Sequence, residues 1–182
     1  LLDQKISIVE SAETRPKKTS DTDVEIQYEN VEFRSRDDDP IIRNLSFEIR
    51  TGEKIAIVGP TGSGKSTLVK LLSRMYDPQQ GTIRIADDDI RKFSLYDLRS
   101  RMAVVLQDPY LFDASIIDNI TLGDERLEPA EIETAIDRTL AREVIARQGE
   151  GRNAKVGERG SKLSAGERQL IAFARAMARN PN

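Results

Sequence analysis

The earliest regular pattern in the chain is an alternation of apolar and polar positions from about Val24 to Ile49. Alternation with period two is typical of strands that bury one face. An acidic turn at residues 37–40 interrupts it. The apolar positions are Ile26, Tyr28, Val31 and Phe33 before this turn and Leu45, Phe47 and Ile49 after it. The pattern predicts an antiparallel β portion.

Two short runs, residues 55–58 (IAIV) and 103–106 (AVVL), are continuously apolar. Such runs are typical of parallel strands covered on both faces. Residues 82–85 predict another strand, and Ser94 with Asp97 resembles a capping signal for a short helix. Between the two runs, apolar side chains at helical spacing predict a helix. They are Leu68, Leu71, Leu72 and Met75. Together these signals predict an α/β core.

The C-terminal third is predicted to be mainly helical. Pro129 stands where a helix could start. The predicted apolar face of that helix is formed by Ile132, Ala135, Ile136 and Leu140. A last helix begins near Ser164, with apolar positions at Leu170, Ile171, Phe173, Ala174 and Met177.

The N-terminal stretch has a different character. Residues 1–9 are apolar enough for the tail of an amphipathic helix or a short extended segment, whereas residues 10–23 are polar and contain Pro16. We interpret residues 1–23 as a linker and residues 24–182 as one folded domain.

The amino-acid composition limits the kinds of binding and catalytic site that the chain can form. The 182 residues contain 28 Lys and Arg against 31 Asp and Glu, so a nucleic-acid partner is not expected. Cys and His are both absent, which excludes disulfides, thiolate metal sites and histidine bases. No apolar run approaches the roughly 18 residues that cross a bilayer, and we expect this segment to lie outside the membrane.

A glycine-rich string lies between the run at 55–58 and the first predicted helix. It reads Gly59-Pro60-Thr61-Gly62-Ser63-Gly64-Lys65-Ser66 and fits the pattern G-x-x-x-x-G-K-[ST]. Backbone amides at such a turn form an anion nest, and the helix start adds its positive dipole end. Lys65 supplies a cation for the β- and γ-phosphates, Ser66 a hydroxyl for Mg²⁺, and Thr67 a hydrogen bond near the α-phosphate. The alternative is an unliganded turn; a strand before the string and a helix after it favour binding of a nucleoside triphosphate.

A second helix start carries the string Leu163-Ser164-Ala165-Gly166-Glu167-Arg168-Gln169. Ser164 and the Gly166 backbone open this helix and present another N-terminal anion site. Ser164 and Glu167 also form an S-x-x-E capping box, which is common in helices without a ligand. The two roles are compatible, because a capped helix start presents its amides.

About a hundred residues separate this string from Lys65. The glycine-rich string and this second string together resemble those of the ATP-binding-cassette (ABC) ATPases. The signature of that family is usually written LSGGQ, and Ala165 stands here at its first glycine. The resemblance implies that the signature faces the γ-phosphate held by a second cassette. Gln107 matches the family's Q-loop glutamine, which reaches Mg²⁺ or the attacking water. The resemblance thus implies catalytic roles for Lys65 and Gln107. It also implies that Ser66 and Gln107 contact Mg²⁺.

Two further strings resemble parts of exporters in this family. Residues 108–112 (DPYLF) resemble the segment that contacts the coupling helices of transmembrane domains, although Tyr110 and Phe112 could instead be core residues. Residues 156–160 (VGERG) resemble an exporter-specific loop written TEVGERG. The polar stretch before Val24 agrees, since exporter cassettes are commonly fused behind transmembrane helices.

The resemblance implies a P-loop NTPase (RecA-like) core with an antiparallel β subdomain and a helical signature subdomain. It implies ATP and Mg²⁺ as ligands, a second cassette in a homo- or heterodimer, and transmembrane domains as partners at the cytoplasmic face of a membrane. The expected function is ATP hydrolysis that drives export. Alternatives are a soluble ABC ATPase and a non-hydrolysing module that dimerises with nucleotide.

Two departures from the family pattern stand out. The aromatic residue that stacks on adenine would fall at Ser35, so either Arg36 stacks on the base or base recognition is weak. The sequence also ends at Asn182, before the Walker B aspartate and the catalytic glutamate of the family. From the sequence as it stands we expect an incomplete parallel sheet, and a chain that binds nucleotide poorly or moderately and does not hydrolyse it.

Overall fold

A computed structural model describes residues 24–34 and 40–179, which divide between two compact units at the boundary between Arg99 and Ser100. The first unit contains β1 (Val24–Arg34), β2 (Pro40–Arg50), α1 (Lys65–Leu72), β3 (Gln80–Ile85) and β4 (Asp88–Asp89), and α2 (Leu95–Ser100) runs across the boundary. The second contains α3 (Ile116–Thr121), α4 (Pro129–Arg138), α5 (Ala141–Ala146) and α6 (Ala165–Ala178). Single 3₁₀ turns lie at Ile90–Lys92, Gly151–Asn153 and Glu158–Gly160. The predictions for residues 1–23, Ser35 and Arg36 fall outside the described residues.

The first unit is built on a four-stranded antiparallel sheet in the order β2-β1-β3-β4. Tyr28 in β1 pairs with Phe47 on one side and with Ile83 on the other, and its ring stacks on that of Phe47 at 4.5 Å. Tyr28, Val31 and Ile83 are buried, while polar side chains on β2 face outward. The predicted antiparallel β portion is confirmed, with β3 and β4 added to it.

Helix α1 follows the glycine-rich loop and packs through Leu68 and Leu71. It is shorter than its apolar spacing predicts. Arg74 takes a left-handed backbone conformation (φ 46°) just after the helix, and Met75 lies beyond the helix with 57% of its surface exposed. The prediction of Met75 on the helical face was therefore wrong.

The two predicted parallel strands at residues 55–58 and 103–106 were also wrong for the described part of the chain. Neither segment joins a hydrogen-bonded ladder there, and their apolar side chains are exposed: Ile57 by 42%, Val58 by 87% and Val105 by 38%. A strand is stable only when another segment accepts and donates its backbone hydrogen bonds. Within residues 24–34 and 40–179 no segment does so for either run.

The second unit is helical, as predicted from Pro129 onward. Pro129 occupies the first turn of α4, and Ala135 and Ile136 are buried against α6. The predicted face was wrong at Leu140, which follows the helix with φ 61° and is 57% exposed. The sequence analysis did not identify α3, which begins with a capping box between Ser115 and Asp118.

Candidate nucleotide-binding site

The glycine-rich loop has the backbone conformations that its composition predicts. Gly62 and Gly64 have φ angles of 87° and 88°, in the left-handed region that favours glycine. A Cβ atom on Gly64 would lie 3.1 Å from Cγ2 of Ile41 and 3.3 Å from its carbonyl oxygen. Gly64 is also the N-cap of α1, so the loop leads directly into the helix.

The loop concentrates hydrogen-bond donors. The Lys65 ammonium donates from Nζ to the carbonyl oxygens of Gly59 and Pro60, both at 2.8 Å, which holds the charge over the loop. Among the described residues, no acceptor binds the backbone N–H of Gly62, Gly64, Lys65 or Ser66. Four free amides beside a cation and a helix N-terminus form a site for an anion.

Ser66 and Thr67 continue this site into the first turn of α1. The Ser66 side chain is exposed, and the Thr67 N–H donates to the Gly64 carbonyl at 2.9 Å. A hydroxyl oxygen is a hard ligand of the kind that Mg²⁺ accepts together with water and phosphate oxygens. The donor chemistry of Ser66 therefore fits that ion. Within the described residues no group of three or more acidic side chains forms a metal site of its own.

Helix α1 is tied to the sheet at its middle. The buried Tyr28 hydroxyl donates to the Leu68 carbonyl at 3.0 Å. Burial raises the pKa of Tyr28 well above its ordinary value, so the hydroxyl stays a donor throughout the physiological range. The sequence analysis treated Tyr28 as a core aromatic residue and did not find this bond, because it joins residues 40 positions apart.

The C-terminal end of α1 is held by two arginines. The buried Arg74 donates to both carboxylate oxygens of Asp77, at 3.0 and 3.3 Å, and to the Phe93 carbonyl at 3.2 Å. Arg99 donates to the carbonyls of Ser73 and Arg74 at 3.0 and 2.9 Å. These bonds satisfy carbonyls at the end of the helix that would otherwise lack partners.

In the second unit, the predicted signature string forms the start of α6. Ser164 is the N-cap: its hydroxyl accepts from the Glu167 N–H, and its own N–H donates to the Glu167 carboxylate at 2.8 Å. These bonds to Ser164 lower the pKa of Glu167, and Arg147 at 3.7 Å adds to the effect. The capping box is therefore present.

The start of α6 still offers donors after capping. No described residue accepts from the N–H of Ala165 or Gly166, and the space around Gly166 is open. Leu163 is buried, and its carbonyl accepts from Arg168 at 2.9 Å, which fixes the turn before the helix. Capping and anion binding are thus compatible here.

Gln107 lies in the same unit as the signature string. Its carbonyl accepts a hydrogen bond from the side-chain amide of Gln169 at 3.3 Å, so two of the predicted site residues are neighbours. The rest of Gln107 is exposed. The phosphate loop belongs to the first unit, and Gln107 and the signature belong to the second.

The aromatic residues after Gln107 are not in the core. Tyr110 and Phe112 are 51% and 52% exposed, and their rings meet edge to face at 5.2 Å. Leu111, between them, is fully buried. This alternation excludes the interpretation of Tyr110 and Phe112 as core residues and leaves an exposed aromatic pair.

The segment at 156–160 connects this aromatic segment to the signature. The Val156 N–H donates to the Ala114 carbonyl at 3.1 Å, and Val156 itself is buried. Gly160 has φ 73°, and a Cβ atom there would lie 2.8 Å from Cδ of Arg168 and 3.0 Å from Cδ1 of Leu111. The left-handed backbone and these two close side chains favour glycine at this position.

No helix in the described part of the chain combines the length and the apolar character needed to span a membrane.

A mixed α/β chain with a glycine-rich phosphate loop and a capped signature helix defines a nucleotide-binding protein of the P-loop class. The family model described as ABC transporter matches residues 42–182. The chain belongs to this family.

Relatives are exporters of several kinds. The chain is 43% identical over 156 residues to a probable multidrug resistance ABC transporter ATP-binding/permease protein of Bacillus subtilis. The matched region covers 86% of this chain and 23% of that protein. It is 44% identical over 159 residues to a mitochondrial iron–sulfur clusters transporter of Yarrowia lipolytica, covering 87% of this chain and 22% of that protein. The chain therefore spans about a quarter of the length of these relatives.

The fold is similar to that of a bacterial Atm1-family ABC exporter solved with ATP bound, with a TM-score of 0.87 and 38% sequence identity. That match covers 98% of this chain and 31% of the other. It confirms the predicted fold class of an ABC ATPase domain.

Proposed function

We propose that this chain is the ATP-binding cassette of an exporter and that the complete protein hydrolyses ATP to drive transport across a membrane. The observation that carries the proposal is the phosphate loop, which combines four backbone amides without acceptors and the Lys65 ammonium. A triphosphate is the ligand whose charge and oxygen number match this arrangement.

Each residue of the loop has a distinct role in this proposal. The four amides without acceptors bind phosphate oxygens, and Lys65 leaves its carbonyl partners to contact the β- and γ-phosphates. Thr67 lies close enough in sequence to bind near the α-phosphate. Ser66 would hold Mg²⁺ through its hydroxyl, and Gln107 keeps the role that the family resemblance implies, contact with the ion or the attacking water. When bound, the ion neutralises charge that develops on the β- and γ-phosphate oxygens.

The signature helix completes a second site. We propose that a second cassette, identical or related, contributes its phosphate loop and that the free amides of Ala165 and Gly166 contact the γ-phosphate held there. Ser164, capped onto Glu167, fixes the helix start in the geometry that presents those amides. The buried Leu163 and the bond from Arg168 to its carbonyl support the same turn, and Gln169 contacts the carbonyl of Gln107.

The exposed aromatic pair is the proposed contact with membrane-embedded partners. Tyr110 and Phe112 expose about half of their surface each, beside the buried Leu111. Exposed aromatic side chains on a rigid segment are typical anchors of protein interfaces. We propose that coupling helices of transmembrane domains dock here, with the cassette at the cytoplasmic face of the membrane.

ATP turnover by the purified complete protein tests the proposal. We expect Mg²⁺-dependent release of phosphate that Lys65→Ala abolishes. Lys70→Ala is the matched control, because Lys70 is an exposed residue of the same helix and should leave turnover unchanged. Equal turnover in both variants would reject the assigned role of the loop, and no turnover in the unaltered protein would reject hydrolysis.

A further inference from the structure

Asn119 is a buried polar residue that no family motif in the sequence analysis included. Its side chain is fully buried in α3. Oδ1 accepts from the Phe112 N–H at 2.8 Å, and Nδ2 donates to the carbonyls of Phe112 and Ser115 at 3.0 Å each. One side chain thus supplies the acceptor for the Phe112 N–H and adds a second donor to the carbonyls of Phe112 and Ser115.

Arg175, in helix α6, donates hydrogen bonds to Asn119 and to the aromatic segment. Its Nε donates to the Asn119 carbonyl at 2.7 Å, Nη2 to Asn119 Oδ1 at 3.2 Å, and Nη1 to the Tyr110 carbonyl at 3.0 Å. The contacts join residues 56 and 65 positions apart, so they bridge α6 to α3 and to the aromatic segment.

The acceptors of Arg175 are all neutral oxygens. None of the ion pairs among the described residues includes Arg175, whereas the exposed Arg142 pairs with Glu133 and Asp137. Burial lowers the pKa of Arg175, and the neighbouring Arg179 lowers it further. A half-buried cation held by neutral oxygens is a costly arrangement that fixes geometry more than it adds stability.

Helix α6 connects this clamp to the signature. It begins at Ser164, and Arg175 lies on the same continuous helix, about 16 Å further along its axis. We propose that Arg175 and Asn119 are positioning residues that clamp the aromatic segment 110–112 to α6, so that the segment moves with the signature helix when nucleotide binds. The inference rests on the proposed function, since it needs both a nucleotide at the signature and a partner at the aromatic pair.

Hydrogen exchange of the purified complete protein tests the clamp. The measured quantity is the exchange rate of backbone amides in peptides covering residues 110–115, with and without a non-hydrolysable ATP analogue and Mg²⁺. In the unaltered protein we expect the analogue to change this rate. In Arg175→Met we expect exchange about tenfold faster or more, and no response to the analogue. Affinity for the analogue should stay within about twofold, because Arg175 lies away from the start of α6.

Two variants keep the test decisive if Arg175→Met does not fold. Arg175→Lys retains the charge but cannot make three directed bonds. Asn119→Asp retains Oδ1 as an acceptor and removes the two bonds that Nδ2 donates. Each should weaken the response of residues 110–115 by less than the methionine variant. Arg142→Met is the matched control on the surface and should respond like the unaltered protein.

The outcomes separate the clamp from the proposed function. No binding of the analogue by the unaltered protein would overturn the proposed function. Binding without any response at residues 110–115, or a response as large in Arg175→Lys and Asn119→Asp as in the unaltered protein, would overturn the clamp. So would a loss of affinity in these variants, because it would assign Arg175 to the nucleotide site.

Discussion

The hydroxyl of Tyr28 donates a hydrogen bond to the backbone carbonyl of Leu68 at 3.0 Å. Tyr28 belongs to the central pair of strands in the antiparallel sheet, and Leu68 belongs to the helix that follows the phosphate loop. The bond is buried, so it joins the sheet to the helix without competition from water. The position of the phosphate loop therefore depends on a residue far from it in sequence.

Replacing Tyr28 by phenylalanine removes this bond and keeps the stacked ring. We expect Tyr28→Phe to lower the free energy of unfolding by about 1 kcal/mol, the usual net contribution of a hydrogen bond. Urea unfolding measures the change. The control is Tyr76→Phe, because Tyr76 is a partly exposed ring that packs on Phe33. A loss in Tyr76→Phe as large as that in Tyr28→Phe would contradict the role of the buried bond.

Arg74→Met should be more damaging. The substitution leaves the Asp77 carboxylate and the Phe93 carbonyl without the donor that Arg74 provides. Removing one partner of a buried ion pair typically lowers the free energy of unfolding by about 3 kcal/mol or more. The matched control is Arg142→Met, which breaks exposed pairs with Glu133 and Asp137 and should cost less than about 1 kcal/mol. Equal unfolding midpoints for the two variants would show that Arg74 does not hold the end of α1.

Gly64→Ala tests the backbone of the phosphate loop. The left-handed φ of 88° disfavours alanine, and the new methyl group would press on Ile41. We expect a loss of stability of about 1–2 kcal/mol from the backbone alone and, in addition, ATP affinity at least about tenfold weaker. Gly52→Ala is the control, since Gly52 also has a left-handed φ (77°) but open space around it. It should share the loss of stability and keep the affinity.

Ser164→Ala removes the cap of the signature helix. Loss of an N-cap side chain costs about 1 kcal/mol in the free energy of unfolding. We further expect weaker ATP-dependent association of two cassettes, because the amides of Ala165 and Gly166 would be less ordered. Light scattering with and without ATP measures the association. Unchanged association in a destabilised Ser164→Ala protein would limit Ser164 to a structural role.

The same cap makes a pH dependence testable. The pKa of Glu167 is lower in the folded chain than in the unfolded chain, so its contribution to stability is present above the unfolded value of about 4.3. That contribution is lost as the pH falls through the lower folded value. The difference in stability between the unaltered protein and Glu167→Gln should therefore shrink as the pH drops from 7 toward 3. A constant difference would contradict the contribution of the carboxylate.

Local signals in the sequence predicted the helix starts well. Gly64 and Lys65 mark the start of α1, and the Ser164–Glu167 box marks that of α6, because the residues that end or cap a helix lie within one turn of it. The β1–β2 pair was predicted for a similar reason, since one-sided burial leaves a visible alternation.

Features that depend on distant partners were missed. Residues 55–58 and 103–106 have the composition of buried strands, but composition does not supply the neighbouring strand that each needs. The roles of Asn119 and Arg175 come from hydrogen bonds to backbone carbonyl groups across the second unit. Every residue has a backbone carbonyl, so the sequence does not indicate which carbonyls accept these bonds. Tyr28 was correctly predicted to lie on the buried face of its strand. The hydrogen bond from its hydroxyl to the Leu68 carbonyl could not be predicted, because the two residues are far apart in the sequence.

Equilibrium binding of ATP to the purified complete protein, compared with Lys65→Ala and Lys70→Ala, tests the central claim most directly. We predict that Lys65→Ala raises the Kd for ATP by at least about tenfold, because the loop loses the cation proposed to contact the β- and γ-phosphates. Lys70→Ala should bind like the unaltered protein. An unchanged Kd in Lys65→Ala would contradict the assignment of residues 59–67 as the nucleotide site.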